Sequence, residues 1–164
     1  MSSNTLKCHG GLKTLTDKMS STKITFISLI DPQDGPLIVF PTLPTVENEL
    51  KSNVMTNTSL DWFQSDLYNA MGVPGMKDIK QLFELEGWKV YGQLVKQTGM
   101  KFVLGFDADV QDDEVIAWFE KIRKLTVKCR CNPFVNSQDN LVDVLKKTFK
   151  REFGHDSNSK EGSV

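Results

Sequence analysis

The side chains best suited to catalysis or metal binding are scarce and badly placed in this chain. There are two histidines, His9 and His155, and three cysteines, Cys8, Cys129 and Cys131. Both histidines fall in polar terminal stretches, so the body between them has no imidazole to serve as a general base. That argues against Ser-His-Asp and Cys-His catalysis and against histidine-based metal sites. Cys8 and His9 are neighbours in a terminal stretch, without the fixed geometry that either job requires. Cys129 and Cys131 are one residue apart, whereas redox and zinc sites use the C-x-x-C spacing. An odd number of cysteines does not fit a disulfide framework, so reduced thiols are expected. "GVPGMK" at 72–77 has a glycine and a lysine but not the phosphate-loop spacing, and no G-x-G-x-x-G occurs. Asn57-Thr58-Ser59 matches a glycosylation sequon, which carries no meaning in the cytosol. No catalytic residue, cofactor site or metal site is expected.

The 164 residues suffice for one domain with a single core. A hydrophobic content of 39% with 25% charged residues is that of a globular chain. The formal net charge of -1 gives no global basic field to attract nucleic acid. No apolar run approaches the ~20 residues that a bilayer span needs. The opening "MSSNTLKCHGGLKTLTDK" lacks the apolar segment of a secretory signal, so a cytoplasmic location is expected.

The elements follow from periodicity and turn chemistry. Residues 1–22 are rich in Ser, Thr, Lys and Gly without periodicity and read as a flexible tail. "KITFISLI" (23–30) is apolar on both faces, Ile24, Phe26 and Ile30 on one and Ile27 and Leu29 on the other, so it is a central strand. "DPQDG" turns the chain, and "PLIVF" (36–40) returns beside the first strand. Thr45 is a good N-cap for a helix from about 46 to about 70. Val46, Leu50, Val54, Leu60, Phe63 and Leu67 give it an apolar stripe, expected to face the sheet. On that wheel Asn53, Asn57 and Asp61 fall within the apolar arc, and Met55 and Trp62 fall opposite it.

Three strands follow at meander spacing, 79–86, 88–95 and 100–106. Lys80 and Glu84 mark the first of them as an edge. Two helices complete the body. One has acids at its start and bases toward its end, the order that the helix dipole favours. The other places Leu141, Val142, Leu145, Phe149 and Phe153 inward, stops at Gly154 and leaves 154–164 as a tail. The domain therefore runs from 23 to 153 in the order β-β-α-β-β-β-α-α. It is an α+β fold with a five-stranded, mostly antiparallel sheet, one helix on one face and two on the other. Two strands before the first helix and two helices at the end argue against an RNA-binding β-α-β-β-α-β module.

This order is the longin-like one, also called SNARE-like or profilin-like. "TVENELKSNVMTNTSLD" (45–61), "KVYGQLVKQTGMKFVLGF" (89–106) and "CNPF" (131–134) resemble corresponding stretches of the sedlin family of vesicle-trafficking proteins. The wording of 94–106 is nearest to fungal members. The resemblance spans about Lys23 to Phe153, and the acidic "DPQDGP" turn departs from it. It implies a non-enzymatic subunit of the trafficking protein particle (TRAPP) tethering complex. Such a subunit promotes assembly or stability of the larger complex in ER-to-Golgi and Golgi traffic. Its partners are the other TRAPP subunits and, indirectly, a Rab-type GTPase, and it is held peripherally at Golgi membranes through the complex. The alternative is a small independent regulator or enzyme on a profilin-like scaffold.

A subunit role directs attention to candidate contact residues. Met55 and Trp62 are expected on the outward face of the first helix, where an exposed aromatic beside methionine is typical of an anchor. Asp61 either bonds to a loop backbone across the sheet or fixes the helix face that meets a partner. In "CNPF", Pro133 breaks the helix. Phe134 either plugs a corner of the core or, with Asn132 and Pro133, lies at a subunit contact. Lys146, Lys147, Lys150 and Arg151 form a dense basic set at the dipole's negative end. The set is accounted for as a solvated face and allows at most weak contact with anionic lipid.

Overall fold

The computed structural model describes residues 24–70 and 78–154. The two terminal stretches, with Cys8, His9 and His155, and residues 71–77, which include the "GVPGMK" segment, lie outside the described residues. The element order is β1 (Ile24–Ile30), β2 (Pro36–Pro41), α1 (Val46–Gln64), a 3-10 turn (Asp66–Ala70), β3 (Ile79–Leu85), β4 (Trp88–Leu94), β5 (Lys101–Asp107), α2 (Asp112–Arg130) and α3 (Gln138–Phe153). All neighbouring strands pair antiparallel, in the order β2-β1-β5-β4-β3. The expected α+β architecture is therefore observed, with β1 and β5 inside the sheet and β3 at an edge.

The apolar alternation of the central strands divides the core into two layers. On the side of α2 and α3, Ile27 and Leu29 of β1 join Phe102, Leu104 and Phe106 of β5 and the inward faces of both helices. On the side of α1 the layer is thinner: Phe26, Ile30, Met55, Val90 and Val103, with Leu60, Phe63, Phe83 and Trp88 packed at its margin. Ile24 belongs to the first layer, not beside Phe26 as simple alternation predicts. The β1–β5 register shifts between Ile24 and Phe26, and such an irregularity changes which face a side chain occupies.

The helix starts follow local capping chemistry. Thr45 Oγ1 accepts from Asn48 N at 3.1 Å, and Ser137 Oγ accepts from Asn140 N at 3.2 Å. Glu114 Oε2 accepts from Gln111 N at 3.2 Å at the head of α2. Each bond satisfies a first-turn N–H that has no intrahelical partner. The helix read as one piece from 46 to 70 ends at Gln64 and continues as the 3-10 turn, because Ser65 is extended.

Candidate functional site

The side of α1 that meets the sheet is only partly the one its apolar stripe predicts: Leu60 and Phe63 pack at the margin of the core, but the N-terminal half of the stripe does not. Its buried residues are Ser52, Met55, Thr56 and Ser59. Val46, Leu50 and Val54 point to solvent, with Leu50 64% exposed. Met55, expected outward, is 1% exposed and is the fully buried apolar side chain that α1 gives to this layer. Trp62 is half-buried rather than a free anchor, and Asp61 is exposed rather than held over the sheet.

Backbone proximity and hydroxyl chemistry explain the inversion. Ser52 Oγ donates to Asn48 O at 2.6 Å, Thr56 Oγ1 to Ser52 O at 2.8 Å and Ser59 Oγ to Met55 O at 2.7 Å. Each hydroxyl is satisfied within the helix, so burying it leaves no unpaired donor. Small side chains also let the helix lie close to the sheet. Toward the end of the helix, Gly92 of β4 leaves room for Phe63: a Cβ there would stand 2.6 Å from the Phe63 ring. Lys51 ties this helix to the β3–β4 turn. Its Nζ donates to Glu86 O at 3.0 Å, lies 3.6 Å from the Glu86 carboxylate and sits 4.0 Å above the Trp88 ring.

The outer face of α1 is thus a row of apolar side chains at i, i+4 and i+8, bordered by Asn53, Asn57 and Asp61, all exposed. Leu43, on the approach to the helix, extends it. Among the described residues, Asp61 has neither an ion pair nor a side-chain hydrogen bond. An apolar row with a free carboxylate at one end has the chemistry that protein docking uses: the aliphatic groups offer area and the acid offers orientation.

At the far end of α1 a polar clamp joins three elements. Asp34, in the β1–β2 turn, accepts from Lys101 Nζ of β5 at 2.5 Å and from Gln64 Nε2 of α1 at 3.2 Å. The hydrogen bond from Lys101 holds the Asp34 carboxyl below its ordinary range, against the opposing effect of burial. Lys101 is 9% exposed, so this carboxylate is what compensates a buried cation. Asp31 organises the same turn by accepting from the backbone N–H groups of Gln33 and Gly35 at 2.9 and 2.8 Å.

The "CNPF" loop lies on the other side of the sheet, between α2 and α3. Asn132 Oδ1 accepts from Phe134 N, and Asn132 O accepts from Val135 N, both at 3.0 Å. This stapled turn holds Phe134 outward at 86% exposure, so it does not plug the core. The corner beside it is instead a cavity of about 390 Å³, with Leu29, Leu37, Met100 and Leu141 on its walls and Arg130 and Ser137 among its polar lining. Among the described residues no three His, Cys, Asp or Glu side chains converge as a metal site, and no helix is long and apolar enough to cross a membrane. Cys129 is buried, Cys131 exposed, and both are free.

The family model described as Sedlin matches residues 29–153. The chain is 36% identical over 141 residues to the TRAPP-associated protein TCA17 of Saccharomyces cerevisiae, covering 78% of this chain and 91% of that protein. It is 34% identical over 123 residues to the trafficking protein particle complex subunit 2-like protein of Rattus norvegicus, covering 70% and 85%. The protein of the same name from Dictyostelium discoideum is 27% identical over 116 residues, covering 68% and 82%.

Proposed function

The chain belongs to the sedlin family, and from that premise we propose that it is a non-enzymatic subunit of a TRAPP-type vesicle-tethering complex. Its work is to promote assembly or stability of the larger complex in ER-to-Golgi and Golgi traffic. It meets other subunits directly and a Rab-type GTPase only through the assembly, and it resides at Golgi membranes through the same contacts. The names of its relatives support the complex. The observation that carries the reading is the outer face of α1, where Val46, Leu50 and Val54 are exposed although an interior was available to them. A helix that buries serine and threonine while exposing leucine and valine forgoes hydrophobic burial worth about 1.5–3 kcal/mol for each such side chain and keeps an adhesive face instead.

Asp61 belongs to this contact as its charged margin. Trp62 is half-buried and offers no free anchor, and the buried Met55 acts only through the core. The test is recovery of the tagged full chain from a lysate of its own cells, with co-eluting proteins identified by mass spectrometry. TRAPP subunits in near-stoichiometric amount support the role. Their absence at near-physiological salt, with the chain eluting alone near 18.5 kDa, overturns it.

A further inference from the structure

The domain is electrically polarised in a way that its net charge conceals. From Ile24 to Asp107, ten acidic residues face six basic ones, whereas from Asp112 to Phe153, the span of α2 and α3, nine basic residues face seven acidic ones, three of which, Asp112, Asp113 and Glu114, sit together in the first turn of α2. The second segment is the α2–α3 layer, packed as a pair of neighbouring helices. Cys129 Sγ lies 3.5 Å from Thr148 Oγ1, and the Trp118 and Phe153 ring centroids are 5.5 Å apart. With those residues turned inward, Lys124 and Lys128 of α2 and Lys147 and Arg151 of α3 are exposed on the outside. Lys121 sits over the seam, 5.1 Å from the Phe153 ring centroid. Among the described residues, the one ion pair that engages this layer is Arg151 with Glu152, at 3.5 Å.

The same layer carries two apolar side chains without cover. Val127 is exposed on α2. Phe134 stands at the end of the helix pair, presented by the Asn132 turn rather than by a loose loop. A basic face that also ends in a rigidly held, outward phenylalanine meets both requirements of interfacial binding: charge to attract the surface and an apolar group to enter it.

We propose that the outer face of the α2–α3 layer is a peripheral contact for an anionic lipid surface, with Phe134 as the side chain that enters the headgroup region. This face is opposite α1 across the sheet, so a lipid surface and a protein partner can be engaged together. The charge asymmetry favours lipid over a second copy of the chain. A second copy offers exposed carboxylates on separate elements, Glu47, Glu49 and Asp61 on α1 and Asp112 and Asp113 at the head of α2, and those of α1 are interrupted by Lys51. The proposal extends the basic set Lys146, Lys147, Lys150 and Arg151 to the neighbouring helix, and it supplies the apolar element that the set lacks by itself. It stands on charge and exposure, independently of which protein occupies α1.

The purified full chain would be floated with phosphatidylcholine vesicles and with vesicles containing phosphatidylserine, at low and high salt. Lys124→Glu/Lys147→Glu and Phe134→Ser would run alongside, with circular dichroism as the folding control. The expected result is binding to the serine-lipid vesicles alone, lost at high salt. It falls roughly tenfold or more in the charge-reversal variant and severalfold in Phe134→Ser. Leu50→Ser, on the opposite face, should bind vesicles like the wild type, so loss of partner docking and loss of lipid binding read separately. No flotation, equal flotation with neutral vesicles, or binding indifferent to the charge reversal overturns the proposal. So does concentration-dependent self-association abolished by Lys124→Glu/Lys147→Glu without vesicles, because the face then belongs to a second copy.

Discussion

Asp34 and Asp61 are both aspartates near the ends of elements, yet their surroundings give them opposite roles. Asp34 holds Lys101 and Gln64 and is structural. Its carboxyl is depressed below the ordinary value of 3.8, so its contribution is present above that pH and is lost as pH falls through the lower, folded value. Asp34→Asn should therefore melt below the wild type at pH 6 to 7. The two melting curves should converge as pH falls below about 4. A gap that is constant from pH 7 to pH 3 would assign the effect to turn conformation. Asp34 has a φ of 66°, which asparagine also adopts readily, so the substitution isolates the charge. Asp61, exposed and without a partner among the described residues, should behave differently. Asp61→Tyr should leave the circular dichroism spectrum and melting temperature of the isolated chain almost unchanged while weakening its recovery with TRAPP subunits. Unfolding of the isolated variant would make the residue structural after all.

At the scale of elements, α1 separates what sequence patterning can and cannot give. Its existence, its Thr45 cap and its place between β2 and β3 were all legible. Its orientation was not, because apolar residues occur on both sides and the wheel alone cannot rank them. The signal that resolves it is the small-residue series Ser52, Thr56 and Ser59 at helical spacing, with hydroxyls that can bond back to their own helix. Gly92 of β4 makes room for Phe63 of the same helix. Ser52→Leu, which forces a large side chain into this contact, should destabilise the chain by about 1–3 kcal/mol in denaturant titration. Leu50→Ser on the outer face should change stability by no more than about 0.5 kcal/mol. The reverse ranking would mean that the stripe, not the serine face, packs on the sheet. For Phe134 the sequence left a core plug and a surface contact both open, because hydrophobicity alone does not choose between them; the bond that Asn132 Oδ1 accepts from Phe134 N fixes the turn that points it outward.

For the whole molecule, the strand order and the two-layer core follow from alternation in β1 and β5, the edge charges of β3 and the capped helices. The proposed contact surfaces do not, because surface use leaves no periodic signature. They rest on Leu50 and Val54, where the structure contradicts the expected packing, and on Phe134, which it holds outward. Those side chains fall on opposite faces of the sheet. The molecule accordingly presents an apolar row edged by Asn53, Asn57 and Asp61 on α1 and, on the other side of the sheet, the exposed Lys124, Lys128, Lys147 and Arg151 of α2 and α3.

The central claim is that the outer face of α1 joins this chain to its complex. The most direct measurement is size-exclusion chromatography of the tagged full chain from lysate, comparing wild type, Leu50→Glu/Val54→Glu and Ser52→Leu, with TRAPP subunits identified by mass spectrometry. Wild type should elute at high mass with those subunits. The outer-face variant should retain the wild-type melting temperature but elute near 18.5 kDa, and Ser52→Leu should lose partners only to the degree that it unfolds. An outer-face variant that stays folded and still co-elutes undiminished with the complex would contradict the account.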